Sequence, residues 1–321
     1  MIEVKNLTKH YGELCAVSDL SFTIEKGQIY GFLGPNGAGK STTMNIMTGC
    51  LAATAGEVKI GGCDIFEEPE KAKKLIGYLP EQPPLYLERT PREYLTFVAQ
   101  AKKISRKELA HEVDRVLAIT QTEDVADRLI KNLSKGYRQR VGIAQALLGN
   151  PEVIILDEPT VGLDPRQIIE IRELITELGR DHTVILSSHI LTEVQAVCQT
   201  ILIINKGKLI ACDSPENLEK RFAGKIAMEL TVEAENLEAK RILSEVSRVT
   251  AVTVLSEERN EGHNSFVSRL ALEVSGLADQ ELCREIFYAF AKENKAILEM
   301  KSVKATLEDI FIELTGKGAA K

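Results

Sequence analysis

The sequence has no long apolar run, no C-x-x-C cysteine pair, no long-period repeat and no excess of basic residues. Because no uninterrupted apolar stretch reaches about 18 residues, no segment is predicted to span a bilayer. The 6 cysteines are scattered, which favours reduced thiols over a disulfide framework or a structural metal site. A formal net charge of −7 argues against bulk binding to nucleic acid, which usually requires a basic surface. The opening segment, MIEVKNLTKHYG, lacks the apolar centre of a signal peptide, so a cytosolic protein is expected.

Short apolar runs separated by helical patterns make up most of the first two thirds of the chain. The runs at residues 153–156, 183–186 and 201–204 are nearly continuous, which is typical of strands buried on both faces of a parallel sheet. Between about residues 90 and 150 the apolar residues recur at helical spacing, with charges on the opposite face. We therefore expect an α/β core with a mixed sheet and a helical insertion subdomain.

The pattern changes near residue 223. From there strands and helices alternate in the order βαββαβ, which is typical of a small α+β module of the split-βαβ type. The strands are predicted at 226–232, 249–255, 266–274 and 296–300, the helices at 237–245 and 279–292, and a loop at 256–265. We expect one domain over residues 1–222 and an accessory domain, for dimerisation or regulation, over residues 223–321. The accessory domain shows no catalytic constellation.

A glycine-rich segment after the strand predicted at 29–33 fits the phosphate-binding pattern G-x-x-x-x-G-K-[ST]. Its glycines allow the backbone to curl so that amides face phosphate oxygens. Lys40 is expected to reach the terminal phosphates of a nucleotide, and the Ser41 hydroxyl to ligate Mg²⁺. The residues predicted to hold the nucleotide here are Gly34, Asn36, Gly37, Ala38, Gly39, Lys40, Ser41 and Thr42.

The apolar run at 153–156 ends in two carboxylates, Asp157 and Glu158. At the carboxyl end of a buried strand, Asp157 can hold the hydration shell of Mg²⁺. Glu158 lies one residue further along and can orient or deprotonate a water molecule for attack on the γ-phosphate. Together with the phosphate-binding loop, this pair predicts an ATP-hydrolysing site.

These motifs, with LSKGYRQR (133–140), GLDP (162–165) and SSH (187–189), occur in the order found in ABC transporter ATPases. The chain resembles that family from residue 1 to about residue 215. The resemblance implies the P-loop NTPase fold of an ABC cassette, and a pair of cassettes that closes head to tail on two ATP molecules. In the family, the LSGGQ-type signature of one cassette contacts the γ-phosphate of the ATP held by the other. Here Ser134 and Gly136 match that signature, whereas Lys135 and Tyr137 depart from it.

Further positions match the family one at a time. Tyr11, in HYGELCAV, matches the aromatic residue that stacks on adenine. Asp164, in GLDP, matches the loop that meets the opposite cassette, and it is also predicted to cap a helix that begins at Pro165. His189 matches the switch histidine that contacts the γ-phosphate. Ser134 is likewise predicted to cap the helix that follows it.

The glutamine loop of the family has two possible alignments. An aromatic residue, a variable residue and a proline precede the Mg²⁺-facing glutamine in the family, and here YLP (78–80) is followed by Glu81 and then Gln82. Position in the pattern favours Glu81, and residue type favours Gln82. Both are therefore candidate Mg²⁺ ligands. Residues 83–86 resemble the surface on which a permease docks its coupling helix.

The resemblance implies a Mg²⁺-dependent ATPase subunit that drives a separate integral membrane permease, with a second cassette, identical or paralogous, as its partner. The tail, which ends in ATLEDIFIELTG (305–316), resembles that of single-cassette subunits that pair with ABC-2 type permeases, often exporters. We expect such a subunit to be cytoplasmic and held at the inner face of the cell membrane by the permease. No nucleic-acid partner is expected.

Two alternative functions remain at this stage. A soluble ABC ATPase acting on ribosomes or nucleic acid usually carries two cassettes, long coiled-coil insertions or zinc motifs, and none of these is recognisable here. A non-hydrolysing ATP-binding regulator is suggested by the altered glutamine loop. The presence of both Glu158 and His189 argues against it.

Overall fold

The structure is a computed structural model, in which the described residues are 1–222, 228–260, 265–275, 279–302 and 311. The chain divides into two units, Met1–Pro215 and Glu216–Lys321. This division falls shortly before the boundary predicted at residue 222, and it assigns most of the helix α8 (Pro215–Phe222) to the second unit.

The first unit contains strands and helices in alternation. Its described strands are β1 (Ile2–Tyr11), β2 (Leu14–Ile24), β3 (Ile29–Leu33), β4 (Ala55–Ile60), β5 (Cys63–Asp64), β6 (Ile76–Leu79), β7 (Val153–Leu156), β8 (Thr183–Ser188), β9 (Thr200–Asn205) and β10 (Lys208–Asp213). Its described helices are α1 (Lys40–Met47), α2 (Pro69–Lys74), α3 (Pro91–Ala101), α4 (Leu109–Ile119), α5 (Lys135–Leu147), α6 (Pro165–Leu178) and α7 (Leu191–Val197), with short 3-10 helices at Glu123–Val125 and Ile130–Asn132. Within the described segments, every helix is too short or too polar to cross a bilayer.

The larger sheet of this unit has the strand order β10-β9-β3-β8-β7-β6 and is parallel except for β10. Its central strands are buried along their whole length, as the continuous apolar runs predicted. Because β3, β8 and β7 are neighbours, the segments that follow these strands meet at one edge of the sheet. That edge is where ligands bind in open α/β sheets.

The smaller sheet is antiparallel, with the order β2-β1-β4-β5. A tight turn joins β1 to β2 and pairs Tyr11 with Leu14. Gly12 in this turn has a φ of +58°, which glycine adopts without strain. The two sheets and α1 enclose a common apolar core, in which the rings of Phe22 and Phe32 meet edge to face at 5.4 Å between centroids. Tyr11, the last residue of β1, lies outside this core.

The predicted helical insertion is present as α3, α4 and α5. Helix α3 begins at a capping box, in which the Glu93 amide donates to Thr90 Oγ1 at 3.2 Å and the Thr90 amide donates to Glu93 Oε2 at 3.1 Å. Helix α5 then returns to the parallel sheet and lies very close to β6. A Cβ at Gly77 would lie 2.1 Å from the Ala146 carbonyl oxygen, so only glycine admits this approach.

The second unit, described by itself, has the predicted βαββαβ order. After α8 its described elements are β11 (Met228–Val232), α9 (Asn236–Ser244), β12 (Val249–Asn260), β13 (Ser265–Val274), α10 (Gln280–Lys292) and β14 (Ile297–Ser302). The sheet order is β12-β13-β11-β14, in which β11 lies between β13 and β14, as in a split βαβ fold. One face of the sheet packs against α9 and α10 around residues such as Leu230, Ile242 and Phe290.

The loop predicted at 256–265 is wrong over most of its length. Strands β12 and β13 continue into it, pairing Glu257 with Ser268 and Arg259 with Phe266. The polar composition of this segment suggested a loop, but cross-strand pairing allows polar residues on a solvated pair of strands. The segment 305–316, on which the resemblance to ABC-2 subunits drew, lies outside the described residues apart from Phe311.

Candidate nucleotide-binding and hydrolysis site

The loop between β3 and α1, together with the first turn of α1, carries the predicted phosphate-binding residues. Gly37 and Gly39 have φ values of +77° and +106°, a left-handed backbone that glycine adopts readily. A Cβ at Gly39 would also lie 2.7 Å from the Ala16 carbonyl oxygen. Lys40 is buried at the start of α1, and its Nζ donates to the Gly34 carbonyl oxygen at 2.8 Å. The loop thus presents a lysine and the free amides of a helix N-terminus, which together suit a phosphate group.

Asp157 lies directly beside the Ser41 hydroxyl. Ser41 Oγ donates to Asp157 Oδ1 at 3.2 Å, and Ser187 Oγ donates to the same oxygen at 2.5 Å. A hydroxyl and a carboxylate are oxygen ligands of the kind that Mg²⁺ takes, so this pair fits the predicted cation. Among the described residues no group of three or more His, Cys, Asp or Glu side chains gathers around a metal position.

Glu158 is held in an unusual backbone conformation at the end of β7. Its φ of +48° is rare for a residue with a side chain and costs about 1–3 kcal/mol. Its amide donates to Ser187 Oγ at 2.9 Å, and its Oε2 lies 2.9 Å from His189 Nδ1. Its Oε1 lies 3.7 Å from Lys40 Nζ. The carboxylate is thereby directed between the phosphate loop and the histidine.

A cavity of about 570 Å³ joins most of the predicted residues. The phosphate loop from residue 36 to residue 42 lines it, together with Glu158, His189 and Tyr11. Tyr11 is about half exposed, and the Lys9 ammonium lies over its ring, 5.3 Å from the ring centroid. Glu81 also lines the cavity, whereas Gln82 is not among its lining residues.

A second cavity, of about 410 Å³, lies where α5 and α6 begin. Ser134 caps α5 as predicted, because its Oγ accepts a hydrogen bond from the Tyr137 amide at 3.3 Å. Asp164 caps α6 as predicted, because its Oδ1 accepts from the Gln167 amide at 2.9 Å. Ser134, Gly136 and Asp164 all line this second cavity, and none of them lines the first.

The two departures from the family signature have different surroundings. The Tyr137 hydroxyl donates to Asp124 Oδ2 at 2.9 Å, and this hydrogen bond raises the pKa of Tyr137. Tyr137 thus ties α5 to the 3-10 helix Glu123–Val125, and it lines the second cavity together with Ser134. Lys135 is exposed and extends towards Gly162.

Sequence reasoning missed Ser187 and Glu193. Ser187 is fully buried and connects Asp157 to the Glu158 amide. The buried carboxylate of Glu193 accepts from Thr160 Oγ1 at 2.5 Å and from Ser188 Oγ at 3.0 Å, joining the segments that follow β7 and β8. The sequence could have indicated Ser187, because polar residues at the carboxyl ends of neighbouring parallel strands meet at one edge of the sheet. No local pattern marked Glu193.

Residues 17–161 match the family model described as ABC transporter. Over 318 residues the chain is 31% identical to the linearmycin resistance ATP-binding protein LnrL of Bacillus subtilis, and the match covers 99% of each chain. Over 322 residues it is 33% identical to the bacitracin transport ATP-binding protein BcrA of Bacillus licheniformis, covering 99% of this chain and 98% of that protein. Both similarities therefore include the second unit as well as the first.

A solved structure extends the similarity to three dimensions. It is a dimeric ATP-binding cassette in a post-hydrolysis state, bound to ADP and Pi, with a TM-score of 0.61 and 28% sequence identity. The match covers 67% of this chain and 98% of the cassette. About two thirds of the chain thus corresponds to an entire cassette.

Proposed function

This chain belongs to the ABC transporter family, as an ATP-binding and ATP-hydrolysing transporter subunit, and on that premise we propose that it powers export through a separate membrane permease. The permease holds it at the cytoplasmic face of the membrane. Two cassettes, either two copies of this chain or this chain and a paralogue, close on two ATP molecules. Hydrolysis and release of the products reopen the pair.

The observation that carries this proposal is the separation of the two cavities in one unit. The first contains the phosphate loop and Glu158, and the second contains Ser134 and Gly136. A helix N-terminus with a serine cap suits phosphate, yet this one lies outside the cavity of its own chain's phosphate loop. A second cassette in head-to-tail orientation supplies the missing half of each site.

Each residue of the first cavity has a distinct role in the proposed reaction. Lys40 and the amides of the phosphate loop bind the β- and γ-phosphates, and Tyr11 stacks on the adenine. Ser41 and Asp157 hold Mg²⁺, which when bound offsets the negative charge of the phosphates. Glu158 accepts a proton from the attacking water, and His189 keeps the Glu158 carboxylate oriented while its ring faces the cavity.

Glu81 is the residue we assign to the glutamine-loop position. It lines the cavity, as the alignment by position favoured, and Gln82 does not. A carboxylate can serve as an oxygen ligand of Mg²⁺, so the substitution of glutamate for glutamine keeps the donor type.

Export is supported by two relatives that match this chain over nearly its whole length. One is named for linearmycin resistance and the other for bacitracin transport. Resistance to an antibiotic is commonly obtained by moving it out of the cell. We propose that the present chain powers the same direction of transport.

The decisive experiment uses the full chain with Glu158→Gln, tagged and expressed in its native cells. Loss of the base leaves ATP bound, so this variant is expected to form a stable ATP-dependent dimer and to carry a multi-spanning permease with it from solubilised membranes. Mass spectrometry identifies the co-purified proteins. Ribosomal proteins or nucleic acid in place of a permease would overturn the transport proposal.

The control is the double variant Glu158→Gln/Lys40→Ala. Without the lysine of the phosphate loop, nucleotide binding is lost and the ATP-dependent dimer should disappear. If Glu158→Gln alone stays monomeric with ATP and hydrolyses it at the parent rate, Glu158 is not the base.

A further inference from the structure

Glu193 is a buried carboxylate that the proposed reaction does not use. It lies in α7, is 5% exposed and lines neither cavity. Its hydrogen-bond partners among the described residues are two buried hydroxyls: Oε2 accepts from Thr160 Oγ1 at 2.5 Å and from Ser188 Oγ at 3.0 Å. Burying a charge is costly unless the charge is well partnered, and hydroxyls bring no opposite charge. The carboxylate therefore depends on both hydroxyls staying at one oxygen.

The first of these hydroxyls belongs to the loop that joins β7 to α6. Thr160 comes two residues after Glu158 and four residues before Asp164, which matches the family's contact with the opposite cassette. The loop is tightly turned. The Glu158 carbonyl accepts from the Val161 amide at 3.2 Å, and the Thr160 carbonyl accepts from the Leu163 amide at 3.2 Å. A displacement of the loop at Asp164 is therefore passed on to the Thr160 hydroxyl.

The second hydroxyl lies next to the histidine of the hydrolytic centre. Ser188 ends β8, and His189 follows it directly. Besides donating to Glu193, Ser188 Oγ accepts from the Ile190 amide at 3.0 Å, so one hydroxyl ties together the residues on either side of His189. His189 Nδ1 lies 2.9 Å from Glu158 Oε2. The position of the Ser188 hydroxyl thus influences where the histidine meets the proposed base.

Helix α7, which carries Glu193, is held against the central strand β3. A Cβ at Gly31 would lie 2.2 Å from Val194 Cγ1 and 2.9 Å from Cys198 Sγ, so only glycine admits this approach. Val194 and Cys198 are both buried. In such a close-packed contact the backbone of Glu193 has little room to move, so its carboxylate can follow a hydroxyl only by turning about its side-chain bonds. Because both hydroxyls share Oε2, a turn that follows one of them also changes the hydrogen bond to the other.

We propose that Glu193 is a positioning residue that makes hydrolysis at one site respond to the docking of the opposite cassette. This inference rests on the proposed function. When the opposite cassette meets the loop at Asp164, the loop sets the position of the Thr160 hydroxyl. Through the shared oxygen, that position fixes the hydroxyl next to His189. The ring then keeps its contact with Glu158 Oε2 and orients the base.

The test is a double-variant cycle on steady-state ATP hydrolysis by the full chain. Glu193→Gln keeps the size of the side chain but makes it a weaker acceptor. We expect kcat to fall by roughly tenfold, because hydrogen bonds to a charged group are about twice as strong as neutral ones. The KM for ATP should not change, since Glu193 lines neither cavity.

The second variant of the cycle is Asp164→Ser. It removes the carboxylate that meets the opposite cassette and keeps a side-chain oxygen to cap α6. It should lower kcat in the parent and have no further effect in Glu193→Gln, whereas the effects of independent changes would multiply.

Three more variants test the connection itself. Thr160→Val removes the hydroxyl at nearly constant volume and should reproduce the loss of kcat seen in Glu193→Gln. Thr160→Ser keeps the hydroxyl and should keep the parent kcat. Glu177→Gln is the matched control, because it removes the same charge from an exposed position of α6. It should leave both kcat and the effect of Asp164→Ser unchanged. Thermal unfolding checks that each variant is folded.

The outcomes separate this assignment from the proposed function. If the Glu158→Gln protein stays monomeric with ATP, the proposed function fails, and Glu193 has no docking to respond to. If that protein dimerises, the assignment of Glu193 alone is overturned when the effects of Asp164→Ser and Glu193→Gln multiply. An unchanged kcat in Asp164→Ser would also overturn it, because the loop would have no influence to transmit. A loss of kcat as large in Glu177→Gln, or a rise in KM that matches the fall in kcat, would do the same.

Discussion

At the scale of single residues, the hydrolytic centre depends on a serine that touches neither cavity. Ser187 donates to Asp157 Oδ1 and accepts from the Glu158 amide, so one hydroxyl positions both carboxylate residues. Glu158 has a positive φ, and the hydrogen bond from its amide helps to hold that conformation. Ser187 is therefore a positioning residue for the proposed base and the proposed Mg²⁺ ligand.

We expect Ser187→Ala to lower kcat for ATP hydrolysis by roughly 10- to 100-fold, since a buried hydrogen bond to a charged group contributes about 1.5–3 kcal/mol. The KM for ATP should change little, because Ser187 does not line the nucleotide cavity. The Mg²⁺ concentration for half-maximal rate should rise, because Asp157 loses a partner. Steady-state kinetics with a Mg²⁺ titration measure all three quantities.

Ser188→Ala is the comparison variant. The neighbouring Ser188 hydroxyl donates to Glu193 and not to Asp157. An equal shift of the Mg²⁺ dependence in both variants would show that the effect of Ser187 is only a general loosening of β8.

At the scale of elements, the contact of α5 with the end of β6 and the segment after it depends on glycine. A Cβ at Gly142 would lie 2.6 Å from Leu79 Cδ1 and 3.1 Å from Pro83 Cγ. This contact joins the helix that Ser134 caps to the segment that carries Glu81. Movement of one element is thus constrained by the other.

Gly142→Ala should destabilise the first unit even though alanine favours helices by about 1 kcal/mol over glycine. Overpacking at a close contact costs about 1–3 kcal/mol, and a Cβ only 2.6 Å from the buried Leu79 places the cost above that gain. Urea unfolding measures the difference. Leu79→Val removes the nearest clashing methyl group, so the double variant should be more stable than the sum of the single changes predicts. Strict additivity would contradict the proposed clash.

Helix α10 gives a pH-dependent prediction for the second unit. Asp279 caps this helix by accepting from the Leu282 amide at 2.9 Å, and the Arg248 guanidinium lowers the pKa of Asp279 to about 2 from its ordinary value of 3.8. The carboxylate therefore stabilises the folded state above pH 3.8, and this contribution is lost as the pH falls through about 2.

We expect Asp279→Asn to lower the stability of the second unit at neutral pH. The difference from the parent should shrink as the pH falls from about 4 through about 2, because the parent carboxylate becomes protonated as well. Unfolding followed at several pH values checks this. Arg248→Met should give the same pH dependence, and a difference that persists unchanged at pH 2 would rule out the ion pair as its cause.

At the scale of the whole molecule, the chain separates into two units, and both cavities lie in the first of them. The lining residues of both cavities lie in Met1–Pro215. A solved cassette that matches only 67% of this chain is itself a dimer. Both cavities are thus formed by residues of the first unit.

A chain shortened to residues 1–222 should bind ATP as the full chain does. In the Glu158→Gln background it should also dimerise with ATP, because every residue assigned to closure is retained. Nucleotide titration and sedimentation measure the two properties. A shortened protein that folds and binds ATP but stays monomeric would show that residues 223–321 supply a dimer contact.

The sequence by itself determined the features that depend on local pattern. The phosphate loop follows from the spacing of its glycines and Lys40, and the caps at Ser134 and Asp164 follow from residue type at a helix start. The buried strands follow from their continuous apolar runs. Each of these is encoded within about ten consecutive residues, so no partner elsewhere in the chain is needed to recognise it.

Only the tertiary structure decided the features that join distant segments. It brought Ser187 to Asp157, laid Lys135 against Gly162, and placed Glu81 rather than Gln82 at the nucleotide cavity. It also extended β12 and β13 into the two ends of a segment whose composition indicates a loop. These contacts arise from strand order and helix packing, in which residues far apart in the chain determine each other's positions. No local sequence pattern encodes which distant segments meet.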